Sequence, residues 1–186
     1  INILSSYADI NLFIPSNEKD FKYLFEKNYN NNSINYFRLS EKKIYFPIKS
    51  NGFIKNDKNK SLLILVGNSF DYNELNKSKI DIFYINKISK NMNFNFLNKY
   101  NKILIIEPYF GNVLERRIKK KIKKDNFIST ISYEETIIHK YGKKKEQDRY
   151  LKFDKNNILK KINKDIEIDL KDIETPLSKK LKNFRL

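Results

Sequence analysis

Residues 103–124, ILIIEPYFGNVLERRIKKKIKK, join an apolar run to a basic segment through a single glycine, and this stretch indicates the fold class. Its first four residues are apolar without alternation, which is typical of a strand buried on both faces in a parallel sheet. After the glycine, Leu114, Ile118 and Ile122 are spaced by four residues and predict one apolar stripe along a helix. The stretch therefore predicts a strand–turn–helix unit of an α/β protein.

The basic residues of that helix have two possible explanations. Asn112 is a good helix cap, and Glu115 three residues later completes a capping-box pattern. The seven cations between Arg116 and Lys124 occupy the faces that the apolar stripe leaves. A helix that packs one stripe on a sheet and exposes the rest to water accounts for them, and a polyanion-binding face is the alternative. We favour the first explanation, in which the helix is part of the structural scaffold.

Apolar runs of the same kind recur through the middle of the chain. They predict buried strands at residues 62–66, 80–85, 103–106 and 127–131. Ser132 and Glu135 form a second capping box before a short helix, and Asp154 is placed to cap a final helix with an apolar face. Since such strands alternate with helical or irregular connections, residues 61–165 predict a mainly parallel sheet with helices on both faces.

An incomplete unit precedes this domain. Residues 10–14 predict a strand that ends at Pro15, and Asn17 can cap the helix after it, with acidic residues in its first turn. Residues 34–39 predict a second strand, so one helical crossover joins two parallel strands. We assign residues 1–42 to the end of an α/β domain.

The remaining segments lack a sustained period. Residues 43–60 are charged and broken by proline and glycine, and we interpret them as a linker between the two domains. Residues 166–186 form a weakly patterned tail whose structure the sequence leaves open.

The net charge of +16 suggests nucleic acid, but the composition argues against it. Only five of the 38 basic residues are arginine, the residue that recognises phosphate and guanine with two hydrogen bonds. The excess of lysine, asparagine and isoleucine is typical of an AT-rich coding sequence. We therefore interpret the charge as compositional and do not expect a nucleic-acid partner.

Composition also predicts the compartment. No apolar run approaches the roughly 20 residues that span a bilayer, and no secretory signal pattern is present. The chain has no cysteine, which fits a reducing compartment. We expect a cytoplasmic protein with no membrane partner.

The sequence contains no motif of an independent active site. Its four glycines are isolated, so neither phosphate-binding glycine motif occurs, and Gly67 and Gly111 are explained by tight turns after strands. His139 has no second histidine for a dyad or a metal site, and Glu134 and Glu135 fit helix capping. The residues themselves therefore predict no catalytic, cofactor-binding or metal-binding group.

The order of the segments resembles that of transketolase-like enzymes. The beginning of the chain resembles the end of their pyrimidine-binding domain, in the segments YADINLFIPSNEKDFKYLF and INYFRLSEK. The later part of the chain resembles their C-terminal domain, in the segments LLILVGNS, DIFYINKISKNMNFNFL, KILIIEPYFGNVLERRI, YEETIIHKYG and FDKNNILKKI. The resemblance covers residues 1–165 and extends equally to deoxyxylulose-phosphate synthase and the pyruvate dehydrogenase beta subunit.

The resemblance implies a thiamine diphosphate- and magnesium-dependent enzyme that transfers a two-carbon ketol or acyl unit. It also implies that the activating glutamate lies upstream of Ile1 and that the diphosphate and magnesium are held in another domain. This chain would then be inactive alone and would need an N-terminal cofactor-binding portion or subunit, in a homodimer or heteromer. The alternative function is a non-catalytic basic α/β module that binds nucleic acid or another polyanion.

Three residues match positions of interest in that family. Arg38 matches a basic position that faces the substrate phosphate, so the resemblance implies a substrate contact, and a structural ion pair is the alternative. The second basic position is occupied by Glu41, which argues against phosphate-ended sugars. Glu107 and Gly111 match the turn after the third strand of the C-terminal domain, and we interpret both as architectural.

Overall fold

The computed structural model describes residues 10–75, 78–89, 91–109, 112–122, 126–133 and 142–166. The strands are β1 (Ile10–Phe13), β2 (Ile34–Phe37), β3 (Gly52–Lys55), β4 (Ser61–Val66), β5 (Asp81–Ile85), β6 (Lys87–Ile88), β7 (Lys102–Ile106) and β8 (Phe127–Ile131). The helices are α1 (Glu18–Asn28), α2 (Val113–Lys119), α3 (Lys144–Tyr150) and α4 (Lys155–Ile166), with short 3-10 turns at Tyr72–Leu75 and Asn95–Lys99.

Five strands form the larger sheet, in the order β3-β5-β4-β7-β8. Strands β4, β5, β7 and β8 are parallel, and β3 alone is antiparallel to its neighbour. The central strands are buried on both faces: one face contacts the apolar side of α4 and the other contacts α2. The predicted mainly parallel α/β sheet is therefore confirmed.

A smaller sheet has the order β2-β1-β6. β1 and β2 are parallel and joined by α1, which confirms the predicted strand–helix–strand unit. β6 pairs antiparallel with β1, although it comes after β5 of the larger sheet with only the single residue Asn86 between them. The chain thus passes from one sheet into the other at Asn86.

Helix α1 covers one face of the smaller sheet. Its start is fixed by Asn17, whose Oδ1 accepts 3.0 Å hydrogen bonds from the backbone N–H groups of Lys19 and Asp20, as the sequence predicts. Phe21 and Phe25 on the helix pack against the Phe37 ring of β2 at centroid distances of 5.4 and 5.8 Å. Aromatic packing therefore holds the crossover helix on its sheet.

Strand β3 lies in the segment that the sequence indicates as a linker. Its four residues form an antiparallel ladder with β5, interrupted by an irregularity at Phe53–Lys55. The Phe53 ring contacts the rings of Phe83 and Phe96 at 4.9 and 5.6 Å. This strand is stabilised by its neighbours and has no periodic pattern of its own, so the sequence did not reveal it.

One predicted helix cap is wrong. Asn112 precedes α2 with a φ of 48°, in the left-handed region, and its side chain caps no backbone N–H. Its Oδ1 instead accepts a 2.8 Å hydrogen bond from the Ser132 hydroxyl. The apolar stripe is confirmed, since Leu114 and Ile118 are fully buried.

Several predictions lie outside the described residues. They concern Gly111, His139, the helix after Ser132 with Glu134 and Glu135, and the tail beyond Ile166. Within the described parts of the chain, no helix combines the length and the apolar character needed to cross a membrane.

Candidate functional site

The order of strands in the larger sheet creates a crevice at one edge. From β4 the chain goes to β5 on one side, and it then returns to β7 on the other side of β4. Because these two connections leave in opposite directions, the carboxyl ends of β4 and β7 flank a topological switch point, where open α/β sheets bind ligands. Residues 67–69 follow β4 here, and residues 107–109 follow β7.

Side chains from both sheets meet at this switch point around a cavity of about 30 Å³, which is room for about a water molecule. It is lined by Ile14, Arg38, Ser40, Lys42, Asn68, Ser69, Pro108, Tyr133, Asp148 and Phe153. A larger cleft of about 590 Å³ shares Lys42, Asp148 and Phe153 with it and extends along α3 and the start of α4. We call the two together the carboxyl-edge cleft.

Arg38 lies directly after β2 and reaches this cleft. Its backbone N–H donates to the Phe13 carbonyl at 2.8 Å, which fixes the residue beside the end of β1. The guanidinium carbon lies 5.6 Å from the centroid of the Tyr109 ring, a cation–π arrangement. No carboxylate in the described residues forms an ion pair with Arg38, so its charge remains available to the cleft.

Two neighbours of Arg38 also line the cleft. Glu41, at the position where the resemblance stated from the sequence leads one to expect a second basic residue, borders the larger part. Lys42, one residue further, borders both parts, and its Nζ donates to the Ser69 carbonyl at 3.4 Å. Lys42 therefore brings a second cation to the site that the family pattern at position 41 did not predict.

The turn after β4 contributes a buried hydroxyl. Ser69 is 1% exposed, and its Oγ has no hydrogen-bond partner among the described residues. Next to it, the Asn68 side-chain amide donates to the Lys42 carbonyl at 2.7 Å. The Ser69 hydroxyl is therefore a group that a water molecule or a ligand atom would satisfy.

Gly67 in the same turn brings the two sheets close together. Its φ is +56°, a conformation that side chains rarely adopt, and a Cβ there would lie 2.8 Å from the Ile14 carbonyl oxygen. Its N–H donates to the Ile85 carbonyl at 2.8 Å. Since Ile14 fills the space beside this glycine, the turn is a packing contact, and no phosphate cradle is formed at Gly67.

Glu107 and Tyr109 form the buried floor behind Arg38. Glu107 is fully buried, and its Oε2 accepts a 3.3 Å hydrogen bond from the Leu114 N–H in the first turn of α2. Burial raises the pKa of Glu107 to about 7, while the Tyr109 hydroxyl and the Leu114 N–H act to lower it. Glu107 thus ties the end of β7 to α2, which is an architectural contact.

Tyr133, after β8, closes the cavity on the far side. Its hydroxyl donates to Asp148 Oδ1 in α3 at 2.9 Å. Burial raises the pKa of Tyr133, and the charge of Arg38 opposes that shift. The tyrosine therefore remains neutral, and together with Asp148 it provides a polar wall.

No group of three or more His, Cys, Asp or Glu side chains in the described part of the chain could hold a metal ion. The cleft brings the cations of Arg38 and Lys42 and several hydroxyls together with the carboxylates of Glu41, Asp148 and Asp154, an arrangement that suits a polar ligand group.

Comparisons by sequence find no relative: no protein-family model matches the chain, and neither does any curated protein. Comparison of structures finds transketolase from Campylobacter jejuni subsp. jejuni, with a TM-score of 0.63 and 12% sequence identity over 86% of this chain. The fold is transketolase-like. At this identity the likeness concerns the fold alone, and the match covers 27% of the length of that protein.

Proposed function

We propose that this chain is the C-terminal portion of a transketolase-like, thiamine diphosphate-dependent enzyme that transfers a two-carbon ketol or acyl unit. The observation that carries the proposal is the joining of a three-stranded sheet to a mainly parallel five-stranded sheet. This arrangement is similar to transketolase over 86% of the chain. The segment order in the sequence supports the same assignment.

In this proposal the chain is a scaffold that needs a neighbour. The outer edge of β2 pairs with no strand in the described residues, and Ile34 and Leu39 beside it are 64% and 62% exposed. An unpaired edge with exposed apolar side chains is a site for another polypeptide to pack. The neighbour would be the N-terminal cofactor-binding portion, on the same polypeptide or on a separate subunit, in a homodimer or heteromer.

Thiamine diphosphate and magnesium would be held by that neighbour. The described residues do not fit them, because Ile14 fills the space beside Gly67 and no cluster of acidic ligands is present in the described segments. This chain alone is therefore expected to be inactive.

The chain's own contribution to substrate binding would come from Arg38. Its guanidinium is uncompensated by any described carboxylate, and it borders a cleft that also holds Lys42 and the unsatisfied Ser69 hydroxyl. An anionic end of the substrate would find both charge and hydrogen-bond donors there.

A reconstitution experiment tests the proposal. The polypeptide encoded upstream of Ile1, purified separately, is mixed with this chain, thiamine diphosphate and magnesium, and ketol transfer is measured. We expect activity in the mixture and none in either part. In the active mixture, Arg38→Gln should raise KM for an anionic substrate more than it lowers kcat, while Lys160→Gln on the outside of α4 should change neither.

A mixture of folded parts that binds thiamine diphosphate but transfers no ketol or acyl unit would contradict the assignment. The reading frame decides between its two forms: fewer than about 100 codons between Ile1 and an upstream stop codon are too few for another domain, and would leave only a separate subunit.

A further inference from the structure

The amino-terminal edge of the larger sheet, opposite the carboxyl-edge cleft, collects cations. Lys102 opens β7 and lies in register with Ser61 of β4 on one side and Phe127 of β8 on the other. Neighbouring strands are about 4.8 Å apart, so these residues form one continuous row. The Lys60 carbonyl accepts a 2.9 Å hydrogen bond from the Asn101 N–H, which places the loop before β4 against the loop before β7.

Helix α2 adds to this row because it runs back from the carboxyl edge and ends here. Lys121 follows its last turn and donates through Nζ to the Met92 carbonyl at 2.8 Å, and the exposed Lys120 is beside it. We define the basic edge as Lys58, Lys60, Lys99, Lys102, Lys120 and Lys121 together with Phe127. The helix dipole favours Lys120 and Lys121 at this end, but it does not account for Lys58, Lys60 or Lys99.

The basic edge carries fewer acidic residues than the carboxyl edge. Among the described residues near it, the carboxylates are Asp57, which lies 3.5 Å from Lys55 Nζ, and the half-buried Asp165 at the end of α4, whose Oδ2 accepts a 2.9 Å hydrogen bond from the Ser129 hydroxyl of β8. Asp81 is fully buried and accepts hydrogen bonds from the backbone N–H groups of Asp57 and Asn59. The carboxyl edge, in contrast, carries Glu41, Asp71, Glu146, Asp148 and Asp154. An AT-rich coding sequence enriches lysine everywhere, but it gives no reason for carboxylates to concentrate at one edge.

An exposed aromatic ring lies within this cationic row. Phe127 is 54% exposed at the start of β8, and its backbone N–H donates to the Asn101 carbonyl at 3.1 Å. Proteins that bind single strands without sequence preference combine a cationic track for the phosphates with aromatic rings on which bases stack. The cations here are lysines, which attract phosphate as point charges. Lysine lacks the two parallel N–H donors with which arginine recognises a base, so no sequence preference is expected.

Against the expectation drawn from composition, we propose that the basic edge binds single-stranded nucleic acid without sequence preference, with lysines on the phosphates and a base stacked on Phe127. This activity uses the edge opposite the carboxyl-edge cleft and does not depend on the transketolase-like function. The two functions can therefore be tested in separate experiments, and the failure of one does not bear on the other.

The experiment measures the binding of the full chain to a fluorescent oligothymidylate of about 20 nucleotides by anisotropy, between about 50 and 200 mM NaCl. The test variant is Lys58→Gln/Lys60→Gln/Lys120→Gln, and the control variant is Lys19→Gln/Lys145→Gln/Lys160→Gln. All six lysines are exposed, so the variants lose equal charge and should keep the fold. We check this by thermal unfolding.

The test variant should bind at least about tenfold more weakly than the wild type, and the slope of log K against log salt should fall by about 2, for three lost phosphate contacts. The control variant should lose less than about threefold. Phe127→Ala should weaken binding about tenfold with an unchanged salt slope, since stacking carries no charge.

Several results would overturn the proposal. Equal losses in both triple variants would mean that net charge alone attracts the oligonucleotide. An unchanged affinity in Phe127→Ala, or duplex DNA bound as tightly as the single strand, would remove the stacking role. Absence of binding at the lowest salt, or binding confined to phosphatidylserine vesicles, would also overturn it.

Discussion

The Tyr84 hydroxyl in β5 donates a 2.7 Å hydrogen bond to Oδ2 of Asp20 in α1, and this contact joins the two sheets. The same carboxyl group accepts a 3.0 Å bond from the Ser16 N–H and a 2.7 Å bond, on Oδ1, from the Asn86 side chain. Burial raises the pKa of Asp20, and these donors oppose the shift. A buried carboxyl group surrounded by donors thus connects the crossover helix to the larger sheet.

Loss of this hydrogen bond should weaken the whole chain. Tyr84→Phe is expected to lower the free energy of unfolding by about 1–3 kcal/mol, because it removes a donor from a buried carboxyl group. Denaturation in urea measures the change. The control is Tyr45→Phe, which removes a hydroxyl that bonds Glu18 at the surface, and it should change the stability little.

The combination of Asp20→Asn with Tyr84→Phe tests whether the two residues interact. The double variant should lose less stability than the sum of the two single variants, and strict additivity would mean that the two residues do not interact.

Gly67→Ala should also destabilise the protein. The new methyl group would meet Ile14 and force a side chain into a left-handed backbone conformation, so we expect a loss of about 2 kcal/mol or more. Urea denaturation again measures the loss. Gly52→Ala, at a glycine without a positive φ where a Cβ would lie 3.4 Å from the nearest atom, is the comparison and should cost much less. Equal effects at both positions would show that the contact with Ile14 is unimportant.

Glu107 should make stability depend on pH. Its pKa is raised by burial from 4.5 to about 7, so the unfolded chain releases this proton at lower pH than the folded chain does. The free energy of unfolding should therefore fall as the pH rises from about 4.5 to about 7, by about 3 kcal/mol at most, and remain lower above that.

The Glu107 contribution can be isolated by substitution. Glu107→Gln should remove this fall, so that the stability of the variant relative to wild type rises between pH 5 and pH 8. Chemical denaturation at pH 5 and at pH 8 measures the free energy of unfolding of each protein. Glu26→Gln, at an exposed position on α1, should leave the pH dependence of the free energy of unfolding as it is in the wild type. A Glu107→Gln variant with the wild-type dependence would place the titration elsewhere.

Local patterns in the sequence predicted those strands and helix starts that are determined by residues close together in the chain. The continuous apolar runs became β4, β5, β7 and β8, and Asn17 and Asp154 cap their helices as expected. β3 and β6 have no run of their own because pairing with β5 and β1 stabilises them. The Asn112 cap failed because the left-handed φ turns its side chain toward Ser132.

The residues of the candidate site also divide into those that the sequence indicated and those that it did not. Arg38 and Glu107 were identified from segments that resemble a family, and Asp20 was predicted only as one of the acidic residues in the first turn of α1, although the structure buries it. Ser69 and Tyr133 were missed because they approach Arg38 only when the two sheets pack together, whereas Lys42 was missed although it lies close to Arg38 in the sequence. A second cation close to Arg38 in the sequence was the one signal that could have indicated Lys42.

The unpaired edge of β2 leads to a prediction about the isolated chain. Ile34 and Tyr36 point to the same side of this strand and are both exposed, next to backbone groups that pair with no described strand. We expect the wild-type chain to self-associate as its concentration rises, because another copy can cover this edge. Ile34→Thr/Tyr36→Thr should remain monomeric over the same range in size-exclusion chromatography with light scattering. Tyr150→Thr removes an equally exposed aromatic ring from α3 and should behave like wild type; if it suppresses association as well, the β2 edge is not the cause.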